Sequence, residues 1–118
     1  MNLPSVLIEQ SNLTEVQLES LMSYLKVTAG ELRLRDAAGS RSRRPVTVGS
    51  YYRTVHQGRN RIRESVVTVL VAISAGLIRM EDVRRLFELV GKANTELTED
   101  DEERFATILQ ALLDKIVM

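Results

Sequence analysis

Over residues 66–78 the chain carries no charged side chain: Val66, Val67, Val69, Leu70, Val71, Ile73, Leu77 and Ile78 are interrupted only by Thr68, Ala72, Ser74, Ala75 and Gly76. A helix that is apolar on nearly every side must be covered on nearly every side. The stretch falls short of the roughly 20 residues needed to cross a bilayer, so no membrane association is expected. It predicts either a central core helix wrapped by its neighbours or a helix that forms part of a subunit interface. The chain has 118 residues, the size of one domain, and covering one helix completely is hard for a monomer of that length. A homodimer assembled through the C-terminal half is therefore expected.

The rest of the chain also reads as helical. Aromatic residues make up only 4% of the chain and Trp is absent, so Leu, Val, Ile and Ala must build the core, in company that favours helix. Thr14 followed by Gln17 is a capping-box pattern, with Leu13 placed as a hydrophobic staple. Val16, Leu18, Leu21, Met22 and Leu25 follow as one apolar stripe, predicting a helix over 14–26. A long helix is expected from 49 or 50 to about 75, with Ser50 as N-cap and Gly76 as its stop. Its inner stripe would be Val55, Ile62, Val66, Val69, Ile73 and Leu77. Glu81 or Asp82 opens the next helix, carrying Val83, Leu86, Phe87 and Val90 and stopped by Gly91. Thr98 starts the last, to about 117, with the stripe Phe105, Ile108, Leu109, Leu112, Leu113 and Ile116. Its first-turn acids, Glu99, Asp100, Asp101, Glu102 and Glu103, suit the helix dipole.

Residues 28–39 admit two readings. Thr28 with Glu31 makes a second capping box and Gly39 a stop, which favours a short helix. Glu31, Leu32, Arg33, Leu34 and Arg35 also alternate as a half-exposed strand would, and could pair with Val46, Thr47 and Val48 in a β-hairpin within 31–48. The expected fold class is thus all-α in a single domain, 1–118, with a nucleic-acid-binding part at 13–65 and a helical oligomerisation part at 66–118.

Net charge is zero, but the charges are segregated. Residues 1–25 carry Glu9, Glu15 and Glu19 and no cation, a net −3. Residues 26–63 carry Lys26 and nine arginines (Arg33, Arg35, Arg41, Arg43, Arg44, Arg53, Arg59, Arg61, Arg63) against Glu31 and Asp36, a net +8. Residues 64–118 set six cations against eleven carboxylates, a net −5. A basic block between acidic flanks points to a polyanionic partner. Arginine's planar fork suits phosphates and base edges better than lysine does. Arg41, Arg43 and Arg44, set among Ser, Gly and Pro, are expected to be mobile and solvent-facing. Pairing of these arginines with the chain's own acids is the competing expectation.

The start of the long helix adds donors. Ser50, Tyr51, Tyr52, Thr54 and Gln57 are candidates for base edges, while Arg53, Arg59, Arg61, Arg63 and the loop arginines would hold phosphates. One of the two tyrosines would pack inward and the other meet a phosphate or stack on a base. Thr14, Glu15, Val16, Gln17 and Leu18, with Val48, Gly49, Ser50, Tyr51, Tyr52, Arg53, Thr54, Val55 and the Arg-rich turn after them, resemble a helix-turn-helix. The resemblance is to archaeal regulators related to sigma-factor region four, and it covers residues 13–65. It implies a transcriptional regulator that binds duplex DNA. Residues 39–47 are longer and more basic than that family's tight turn, like an insertion or a wing.

Catalysis has little support. His56 is the only histidine and there is no cysteine, which excludes disulfides, thiolate metal sites and cysteine nucleophiles and speaks against zinc. Residues 99–103 lack the spaced ligands of a calcium loop, and the glycines form no phosphate cradle. No enzyme activity, cofactor or metal is expected. Met1, Asn2, Leu3 and Pro4 do not open a signal peptide, so a cytoplasmic location is expected. The alternative function is a helical interaction or scaffold protein; RNA or single-stranded DNA stays open beside duplex DNA.

Overall fold

A computed structural model describes residues 5–41, 44–93 and 99–117. The protein is all-α: among the described residues there are six helices and no strand. They are α1 (Ser5–Gln10), α2 (Glu15–Thr28), α3 (Leu34–Gly39), α4 (Val48–Ser74), α5 (Met80–Ala93) and α6 (Glu99–Ile116). Two compact units result, Ser11–Ser65 and Met1–Gln10 with Val66–Met118. Arg43, the Thr98 cap and Met1 to Pro4 lie outside the described residues.

In the Ser11–Ser65 unit, α2 begins as its sequence dictates. Thr14 Oγ1 accepts from the Gln17 amide and Gln17 Oε1 accepts from the Thr14 amide, each at 3.1 Å, so the box is closed on both sides. Its end differs from the expected second box at Thr28 and Glu31. Thr28 is the last residue of α2 and its hydroxyl donates back to Leu25 O at 2.9 Å. Gly30, at φ 78°, takes the left-handed position, and Glu31 N donates to Lys26 O at 2.9 Å while Gly30 N donates to Val27 O at 3.1 Å. That is a Schellman stop, and it overrides the start signal two residues earlier.

The β-hairpin alternative is also corrected. The chain turns through residues 29–32 and enters α3 at Leu34, because Leu32 and Leu34 both pack against the buried core that includes Ala37 and Ala38. Tyr51 and Val55 of α4 complete that core, with Leu21, Tyr24, Val27 and Val46 around it. The inward face of α2 is mixed: its fully buried residues are the polar Gln17 and Ser20, beside the half-buried Leu21, Tyr24 and Val27.

The other unit is built on Phe105 and Leu109 of α6, against Val6 and Leu7 of α1, Leu86, Leu89 and Val90 of α5, and Leu113. Val83 and Ile116 are buried as well. Arg79 O accepts from the Asp82 and Val83 amides, so α5 starts one residue before Glu81. Gly91 does not stop it, since the helix runs to Ala93; glycine weakens a helix interior by only about 1 kcal/mol. Ile78 and Val117 form an isolated antiparallel bridge.

The expected burial of residues 66–78 is overturned within this unit. Val66, Val67, Val69, Leu70, Val71 and Leu77 are exposed, and over 66–74 only Ala72 and Ile73 reach half-burial. Ile62 is exposed too, so the inner stripe proposed for the long helix is buried at Val55 and half-buried at Ile73 alone. The physical reason is competition for cover. Phe105, Leu109, Leu86 and Val90 satisfy one another, which leaves few apolar partners for the valines of α4. Gly76 stops the helix as expected, at φ 75°, with Leu77 N on Ala72 O at 2.8 Å and Gly76 N on Ile73 O at 3.1 Å.

Candidate nucleic-acid interface

Thr47, not Ser50, caps α4: its hydroxyl accepts from the Ser50 amide at 3.1 Å and its carbonyl from the Tyr51 amide at 2.9 Å. The helix therefore starts at Val48, one or two residues earlier than expected. Ser50 stands exposed in its first turn.

From this cap the helical period sorts the candidates into faces. Tyr51, Val55 and Gly58 point inward and are buried. Tyr51 is only 1% exposed and cannot reach a base edge, so it leaves the set of contact residues. Its hydroxyl donates to the Ser20 carbonyl at 2.9 Å and is also hydrogen-bonded to Ser23 Oγ. Tyr52, its neighbour, is exposed and sets its ring edge-on to Tyr24 with centroids 6.1 Å apart.

Four exposed residues, Tyr52, His56, Arg59 and Arg63, follow at spacings of four, three and four, which places them in one stripe along α4. Ser50, Arg53 and Gln57, also exposed, fall on the adjoining face. Thr54 is half-buried and its hydroxyl donates to Ser50 O at 3.2 Å, so its proton is taken by the helix. Arg61 is turned elsewhere, with Nη1 donating to Asn12 O at 2.6 Å.

The loop arginines do not behave alike. Arg44 is exposed. Arg41 is half-buried, with its Nε enclosed and without a hydrogen-bond partner, contrary to the expectation of a free side chain. It follows Ser40, the cap that closes the last turn of α3 with its amide on Asp36 O at 3.0 Å.

No protein-family model, curated protein or solved structure matches this chain.

Charge pairing can be judged from the geometry. Among the described residues the arginine that meets a carboxylate is Arg85, 3.7 Å from Asp82 on its own helix. Arg44, Arg53, Arg59 and Arg63 have no such partner among them. Also among the described residues, no cluster of His, Asp and Glu could hold a metal ion, and no helix is long and apolar enough to cross a membrane.

His56, whose type suits an exposed polar contact, belongs with the stripe. The signal was present as its spacing to Tyr52, Arg59 and Arg63. A second feature was hidden by the assumption that leucines point inward. Leu13, Leu18, Leu21, Met22, Tyr24, Leu25, Thr28, Arg59 and Ile62 line an open groove of about 510 Å³ in the same unit.

Proposed function

We propose that this chain is a non-enzymatic nucleic-acid-binding protein, a regulator acting on duplex DNA as a homodimer. One observation carries the reading: Arg44, Arg53, Arg59 and Arg63 are exposed and without carboxylate partners among the described residues. Interleaved with them are Tyr52, His56 and Gln57, which can stack or share hydrogen bonds. Unquenched arginines on a helix face supply the electrostatic part of phosphate binding, and the neutral groups beside them supply contacts to bases. The amino-terminal part of α4 is of a width the major groove admits.

Under this reading α2, α3 and α4 act as a helix-turn-helix of the kind found in archaeal regulators related to sigma-factor region four. Arg44, exposed in the connection between α3 and α4, would meet the backbone beside the groove. Self-association fits the exposed run Val66, Val67, Val69, Leu70 and Val71. Contiguous apolar surface of this kind marks an interface, and a two-fold dimer matches paired half-sites.

Fluorescence anisotropy of a labelled duplex, titrated at stepped salt concentrations, tests the reading. Affinity should fall linearly on a double-logarithmic plot, with a slope of roughly −0.9 per phosphate neutralised. Absence of duplex binding at low salt would sink it. Tighter binding of single strands or RNA would redirect it.

A further inference from the structure

α2 packs Leu21, Tyr24 and Val27 against the core but leaves part of its apolar surface uncovered. Its buried positions are Gln17 and Ser20, whereas Leu25 is 62% exposed and Met22 is exposed as well. Leu13, Leu18, Leu21, Met22, Leu25 and Ile62 form the apolar wall of a groove of about 510 Å³, a size typical of small-ligand sites. Leu21 lies directly over Gly58, where a Cβ would fall 2.8 Å from Leu21 Cδ1, so the bare backbone of α4 at this point lets Leu21 lie flat against it.

Among the described residues the lining contains one charged group, Arg59. It is exposed and has no carboxylate partner among the described residues. Thr28 contributes little as a donor, because its hydroxyl already donates to Leu25 O. An apolar trough with a single cation calls for an anionic head and an apolar tail on one molecule. A guanidinium fork matches a carboxylate in two parallel hydrogen bonds. Leu18 to Thr28 spans ten residues of helix, about 15 Å, the reach of an extended alkyl tail of medium length. A phosphodiester backbone would leave these leucines in water, and a basic helix would be repelled.

We propose that this groove binds a medium-chain carboxylate, with its head on Arg59 and its tail along the leucines of α2. Arg59 also belongs to the stripe with Tyr52, His56 and Arg63, so the ligand would remove one phosphate contact; that consequence, unlike the binding itself, rests on the nucleic-acid reading.

The test is calorimetric titration of the full chain, without nucleic acid, with decanoate, decanol and decyltrimethylammonium. Saturable binding of one decanoate per chain is expected, at least about tenfold tighter than the cationic analogue. Arg59→Gln should weaken decanoate at least about tenfold and leave decanol unchanged. Leu25→Glu, at an exposed position, should weaken both while thermal melting shows the fold intact. Absence of saturable binding, or binding indifferent to both substitutions, overturns the proposal. So does decanoate binding that vanishes as protein concentration rises, since a second copy would then fill the groove. Because no duplex is present, this titration can fail while duplex binding stands, and the reverse.

Discussion

Tyr51 donates its phenolic hydrogen to the main-chain carbonyl of Ser20 at 2.9 Å, joining the first turns of α4 to the middle of α2. The bond is buried, and the ring shares a buried core with Ala37, Ala38 and Val55. Removing only the hydroxyl, in Tyr51→Phe, should cost about 1 kcal/mol in urea unfolding, the usual net worth of one such bond. Tyr51→Ala should cost about 3–5 kcal/mol by leaving a cavity. Duplex affinity of Tyr51→Phe should stay at the wild-type level, because the side chain never meets solvent. A stable Tyr51→Phe variant that no longer binds would contradict this assignment.

Ser20 itself offers the opposite effect. Its side-chain oxygen is buried without a hydrogen-bond partner, and only its carbonyl serves Tyr51. Ser20→Ala keeps that carbonyl, removes the unsatisfied hydroxyl and improves helix propensity. We expect a gain of about 1 kcal/mol, read as a higher melting temperature by circular dichroism. A lower melting temperature would show that the hydroxyl has a role the fold depends on.

Arg59 and Arg63 stand exposed on one stripe, while Arg61 is committed to Asn12 O. Arg59→Ala and Arg63→Ala should each reduce the steepness of the salt dependence of duplex binding by about one unit, with unchanged melting temperature. Arg61→Ala should leave that slope nearly unaltered and lower the melting temperature slightly. Equal slopes for all three variants would mean that the faces of α4 are not distinguished by the bound duplex.

The valine-rich segment of α4 gives a prediction about assembly. Leu70 is exposed, so Leu70→Glu should leave helix content unchanged. If the segment joins two copies, the substitution raises the dimer dissociation constant at least about tenfold, equivalent to 1.4 kcal/mol. Sedimentation velocity over a range of concentrations reads this directly. An unchanged dimer would place the contact elsewhere.

Much of the helical layout was legible because it is written in local chemistry. Thr14 and Gln17 satisfy each other's backbone within one turn, and Gly76 ends α4 through a left-handed residue; neither depends on distant contacts. The misreadings came where local signals competed. Thr28 looks like an N-cap until Gly30 closes the preceding helix, and Gly91 looks like a stop until α5 continues past it. Ser50 lost the cap to Thr47 by the same kind of rivalry. Periodicity failed in a different way. It places Val66, Val69 and Leu77 on one face, but cannot say whether the fold has a partner for that face. In the candidate site the residue types identified arginines, whereas the direction each one takes depends on the helix phase set by Thr47.

The burial of Gln17 beside the exposure of Leu25 on α2 has a further consequence for how the chain tolerates change. In a saturation scan scored by cellular abundance, these two positions of the helix would run against hydropathy. Gln17, which completes the cap, should be among its least replaceable letters, while Leu25 should accept polar and even charged substitutions. An algorithm that equates hydrophobic with essential would rank these two sites in reverse, and drift among related chains would erase Leu25 long before the glutamine.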